Sequence, residues 1–194
     1  MNRIKAVLVF VFVLIWPCWC IAGSERPDWP EDVLKAIYIP PSAKDTWYSS
    51  PGGLFKVFYR ADACYPARGL IRQVAEAMRS QGWAHMAYDP INSGVKLPPE
   101  YPDNDYAWRW YPWFSVWRDS SGNVVWYEFD YDVPDKLLPK DKSPPIEYFD
   151  AVRRSCSLIV GATYFSPETL HVFQKAAEEA NRKYRKNSKE ESEK

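Results

Sequence analysis

Apolar and polar positions alternate most densely between Tyr106 and Tyr131, where rings and β-branched residues fall on both sides of Asp119-Ser120-Ser121-Gly122-Asn123. Residues of that kind fit a pleated, half-buried surface, so the stretch is predicted to be a β-hairpin. Three loop residues ending in Gly122 suit a type I turn closed by a left-handed glycine. Side chains alternate along a strand, so this turn puts Trp113, Trp117, Val125 and Phe129 on one face. Phe114, Val116, Trp126 and Glu128 then share the other. A two-residue turn would re-pair the strands, so this assignment depends on the loop.

The same reading carries through the rest of the chain. Trp29 to Ile37 begins like a helix, with Pro30 in the first turn and Glu31 and Asp32 complementing the helix dipole. Thr46 to Ser49 and Leu54 to Arg60 read as strands joined by Ser50-Pro51-Gly52-Gly53, and Pro followed by Gly is type II turn chemistry. The strongest helical pattern opens at Pro66 and closes at Gly82, with Leu70, Ile71, Val74 and Met78 on one face. Trp83 to Tyr88 is a short strand. Asp89 to Asp105 is polar and proline-rich, a long surface loop, and Asp132 to Pro145 is another.

Cys156 to Phe165 is apolar enough for a central strand. Ser166 as N-cap and Pro167 at the first position start a last helix, whose stripe is Leu170, Phe173, Ala176, Ala177 and Ala180. Strands outnumber helices and are mostly joined by turns. The fold class expected for residues 23–181 is therefore α+β, a two-layer sandwich with a mostly antiparallel sheet and two main helices packed on one face. Residues 182–194 are almost wholly charged and are expected to fray as a flexible tail.

The N-terminus changes the picture of where the protein works. Arg3 and Lys5 precede an apolar run from Ala6 to Trp16, and Cys20-Ile21-Ala22 places small residues where a signal peptidase reads. Residues 1–22 are thus expected to be a signal peptide cleaved after Ala22, which sends the chain to the periplasm or medium. The run is short for a membrane span, which needs about 20 residues, and an uncleaved N-terminal inner-membrane anchor extending to Ala22 is the alternative. Acylation of Cys18 or Cys20 is disfavoured, because Pro17 and Trp19 stand where small residues should precede a lipoprotein cysteine. Cys64 and Cys156 remain after cleavage, and in an exported chain two cysteines most simply form one structural disulfide. A loop of that size is stabilised by up to roughly 4 kcal/mol. Basic and acidic residues balance at 25 each, so no global field invites nucleic acid or an anionic membrane.

Candidate chemistry concentrates on the second strand of the hairpin. Glu128, Asp130 and Asp132 alternate with Tyr127, Phe129 and Tyr131, which sets three acids on one face. Carboxylates two apart on a strand stand about 7 Å from each other, a spacing compatible with a glycosidase pair or a cation grip. The solvent face of an amphipathic strand is the preferred reading. His85 and His171 fall in different elements with no zinc-ligand spacing, and neither a nucleophile elbow nor a phosphate loop is present, so no metal or cofactor is expected.

These patterns lead to an exported, non-enzymatic binding protein as the first expectation. It engages a protein partner, as an inhibitor or immunity-type protein does, through the aromatic hairpin: Trp108, Trp110, Trp113, Trp126, Glu128 and Asp130. A cell-envelope glycan is the alternative ligand. A hydrolase built on Glu128, Asp130 or a serine comes third.

Overall fold

A computed structural model describes residues 27–92, 94–101, 113–133 and 146–192, with side chains as far as 184. Six strands form one antiparallel sheet in the order β1-β2-β6-β5-β4-β3: β1 (Lys44–Ser49), β2 (Phe55–Asp62), β3 (Ala84–His85), β4 (Trp113–Arg118), β5 (Val124–Tyr131) and β6 (Ser157–Phe165). Four helices accompany it among the described residues: α1 (Glu31–Ala36), α2 (Arg68–Ser80), α3 (Ile146–Arg154) and α4 (Pro167–Ser192). The α+β sandwich expected from the sequence is the fold of this chain.

Turn chemistry sets the registers. The hairpin pairs Trp113 with Phe129, Phe114 with Glu128 and Trp117 with Val125, the pairing that a three-residue loop dictates. Gly122 supplies the left-handed residue at φ +88°, and the Asp119 carboxylate accepts from the Asn123 backbone N–H at 2.8 Å and side-chain amide at 2.7 Å. Between β1 and β2 the turn departs from the expected type II: the Leu54 N–H donates to the Pro51 carbonyl at 3.1 Å, so Gly52 and Gly53 are its centre, and their positive φ values (+60° and +81°) follow the I′ pattern that only such residues adopt readily. The last strand, β6, inserts between β2 and β5 and pairs with each along its whole length, which makes it central.

A disulfide joins Cys64 to Cys156, just past the end of β2 and just before the start of β6. Beside it the Tyr65 N–H donates to the Ser155 carbonyl at 3.1 Å, so the bridge lies where the two strands part.

The first face of the sheet carries the main core. Val57, Tyr59, Ala61, Trp113, Trp117, Val125, Tyr127, Phe129, Leu158, Val160 and Ala162 pack there against Val33 of α1, Leu70, Ile71, Val74 and Met78 of α2, and Tyr148 and Val152 of α3. Burying aliphatic and aromatic side chains of this size is worth about 1.5–3 kcal/mol each. Two polar ends of this core are matched: the Tyr127 hydroxyl donates to the Tyr38 carbonyl (3.1 Å) and accepts from the Tyr38 N–H (2.7 Å), and Trp117 Nε1–H donates to Ser115 Oγ (3.0 Å).

Helix placement differs from the expectation. Leu170 and Phe173 of α4 pack with Val116, Val124, Trp126 and Phe165, which project from the opposite face to the α2 contacts. The two main helices therefore cover different faces. Within the predicted stripe of α4, Leu170 and Ala177 are buried and Phe173 is half-buried, whereas Ala176 and Ala180 are exposed.

Further differences have local causes. The helix after Pro66 starts at Arg68, because Ala67 sits in a left-handed conformation (φ +53°) that a helix cannot include. The stretch after Tyr88 is not wholly a surface loop: Asp89 is buried and its carboxylate accepts from the Ile91 and Asn92 N–H groups, while Ile91 and Leu97 join the second cluster. Helix α3 lies in a stretch the sequence reading left without structure. The charged end is helical as far as Ser192, in keeping with its Lys, Arg and Glu content. The signal segment, and the proline-rich stretch after Val133, fall outside the described residues.

Candidate functional site

Strand order and register place five residues from five strands in one line on the second face: Trp47 (β1), Phe58 (β2), Gly161 (β6), Glu128 (β5) and Phe114 (β4). The adjoining row toward α4 runs Lys56, Thr163, Trp126 and Val116, and the row on the other side runs Arg60, Ile159 and Asp130. Two ring stacks flank the middle. Trp47 lies on Phe58 (centroids 5.6 Å apart, 14° between planes), and Phe114 lies on Trp126 (5.4 Å, 17°). With no side chain at Gly161, the Phe58 ring leans onto the β6 backbone; a Cβ there would meet Phe58 Cε1 at 3.2 Å.

Glu128 is the chemically distinctive group. Its neighbours on the face are rings and a glycine, and burial raises its carboxyl to about 7, with the Asp130 charge adding to the rise and Lys56 opposing it. Lys56 is displaced in the converse direction: burial lowers its amine, and the Glu128 charge acts against that. Both side chains are half-buried, and among the described residues neither has a hydrogen bond or an ion pair. Arg60 in the next row is already engaged, 3.6 Å from Asp132 and 3.9 Å from Asp45.

The residues singled out in the sequence fare differently. Trp113 is buried in the main core and Trp126 in the second cluster, so neither ring stands free on the surface as an anchor. The hairpin's other face is not an exposed aromatic patch; Val116 and Trp126 are covered together with Leu170. Trp108 and Trp110 lie outside the described residues. Glu128 and Asp130 do share a face, and both are half-buried on it. Trp47, Lys56, Phe58, Gly161 and Thr163 were missed. The alternation Lys56-Val57-Phe58 marks which residues share a face, but only the pairing of β2 with β6 brings them to Glu128.

No family model, curated protein or solved structure matches this chain.

A concavity of about 650 Å³ lies beside the disulfide between Lys44, Asp62, Arg68 and Gln73. Lys44 and Asp62 pair with each other across it, so that pair's charges are satisfied within the protein. Among the described residues no group of three or more metal-ligating side chains occurs. None of the helices described is long and apolar enough to cross a membrane.

Proposed function

We propose that this chain is an exported, non-enzymatic binding protein whose ligand seat is the second face of the sheet around Glu128. One observation carries the reading. A carboxyl raised to about 7 is held half-buried on a central strand, between two ring stacks, with no hydrogen bond to a described residue. A polar group kept this way costs stability unless something meets it, and a ligand is what would. Export is supported by the basic-apolar-small pattern of residues 1–22 and by the Cys64–Cys156 bridge, since disulfides persist in oxidising compartments. Binding is preferred to hydrolysis because, among the described residues, no hydrogen bond joins the Thr163 hydroxyl to Glu128 or Lys56, so no nucleophile is coupled to an activating base there.

The test compares the purified protein with a Trp47→Ala, Glu128→Gln double variant of unchanged thermal midpoint. Each is exposed to an envelope extract of the source cells. Material retained by the wild type and lost from the variant is the expected result, and equal retention by both would remove the face from the account. N-terminal sequencing of the envelope form is expected to begin at Gly23.

A further inference from the structure

Lys56 and Glu128 stand on opposite sides of β6, on the same face, with Thr163 and Gly161 between them. They carry opposite charges yet make no ion pair with each other, and both pay in desolvation for the position they hold. Chains that hold two opposite charges only to satisfy one another bring them into contact, as Lys44 and Asp62 do here. This pair is instead kept apart by the width of a strand, over a floor of one hydroxyl and one glycine. The Phe58 and Trp126 rings, each stacked on a second ring, stand beside the gap.

Resting on the binding reading above, we propose that the ligand is dipolar, a free amino acid or a dipeptide, with its carboxylate on Lys56 and its ammonium on Glu128 across Thr163. An anion alone would leave Glu128 facing it and repelling it, and a cation alone would meet Lys56 in the same way. A ligand carrying both charges converts two unpaired, half-buried groups into two charge-assisted hydrogen bonds. The ring stacks complete the seat, since an ammonium beside an aromatic face gains further attraction. Arg60 does not compete for the carboxylate, being held by Asp132 and Asp45. Asp130, in the row beyond Glu128, adds to the negative side of the seat.

The experiment is an NMR titration of the purified protein with three probes: glycylglycine (both charges), N-acetylglycine (anion only) and glycinamide (cation only). Saturable shifts at the Gly161 and Thr163 amides are expected with glycylglycine, and at least tenfold weaker binding with either single-charge probe. Lys56→Met should abolish the preference over glycinamide, and Glu128→Gln the preference over N-acetylglycine. Equal affinity for the three probes, or no saturable shift with glycylglycine, overturns the proposal, and the wild-type ranking decides it even where a variant folds poorly. Envelope material retained at this face without glycylglycine binding would sink the ligand class and leave the seat standing. If neither binds, both readings fall.

Discussion

Tyr127 and Glu128 are neighbours on β5 and project to opposite faces of one sheet. Tyr127 is fully buried, its hydroxyl held by the Tyr38 backbone in both directions, and its phenol is pushed well upward by that burial. Glu128 is half-buried with no bond to a described residue. The first face is covered by residues of α1, α2 and α3, and its large side chains are almost wholly out of contact with solvent. Residues of α4 join the second face only at the end that carries Val124 and Phe165, and the middle keeps rings, charges and a glycine within reach of water. One face is thus built for stability, and the other holds groups that stability alone would remove.

The largest effects should come from breaking the first face. Trp117→Ala removes a ring that is 0% exposed and is expected to cost about 3–5 kcal/mol. Phe114→Ala on the second face takes away a half-buried ring and should cost only about 1–2 kcal/mol, since part of its surface already meets water. Chemical denaturation of the two variants measures the contrast, and equal costs would erase it. Next is the disulfide, which belongs to both faces because β2 and β6 do. Replacing Cys64 and Cys156 by serine should cost about 2–4 kcal/mol, leaving the difference between the Trp117 and Phe114 variants unchanged.

The faces should also respond oppositely to pH. Glu128, raised to about 7 in the folded chain, favours the native state when protonated. Its contribution is therefore full below the unfolded carboxyl value near 4.5 and is lost as pH rises through 7. Glu128→Gln is expected to stabilise the protein by about 1–2 kcal/mol at pH 8, allowing for its partial exposure, and to have no effect at pH 4. His85, on the first face beside Trp117, is lowered to about 4 by burial and by the Arg79 charge. It favours the native state when neutral, so its contribution is present above 6.5 and is lost as pH falls through 4. His85→Phe should accordingly blunt acid unfolding and leave the alkaline side alone. Thermal midpoints across pH 3–9 check both, and an alkaline shift in the histidine variant would undo the assignment to faces.

How far such a molecule is legible in its sequence depends on how local the cause is. The hairpin register was readable because three loop residues and Gly122 fix it, and the α4 start because Ser166 and Pro167 cap it. Helix α3 was missed because only Tyr148 and Val152 are buried in it, too few positions to show a period. The stripe of α4 announces an apolar side but not which face of the sheet it meets, so the two main helices were assigned to one face. The candidate site is the least legible part. Glu128 stood out as an acid among rings, but Lys56, Phe58 and Gly161 become its neighbours only through the insertion of β6 between β2 and β5. That choice is made by the whole sheet, not by any stretch of sequence.

The smallest expected effect tests the second face most directly. At Gly161 the backbone does not require glycine, so alanine is tolerated by conformation and relieves some of the entropy a glycine loses in a strand, on the order of 0.5 kcal/mol. Against that, the new methyl would stand 3.2 Å from Phe58 Cε1 and 3.4 Å from Cδ1, so the ring must give way by a few tenths of an ångström. The two effects are similar in size and opposed, and Gly161→Ala should leave the thermal midpoint nearly unchanged. The displaced ring is stacked on Trp47 and borders the gap between Lys56 and Glu128. Glycylglycine binding should therefore weaken several-fold in a variant whose stability hardly moves. A methyl that lowers stability by more than about 1 kcal/mol would instead mark Phe58 as fixed, and the second face as packed like the first.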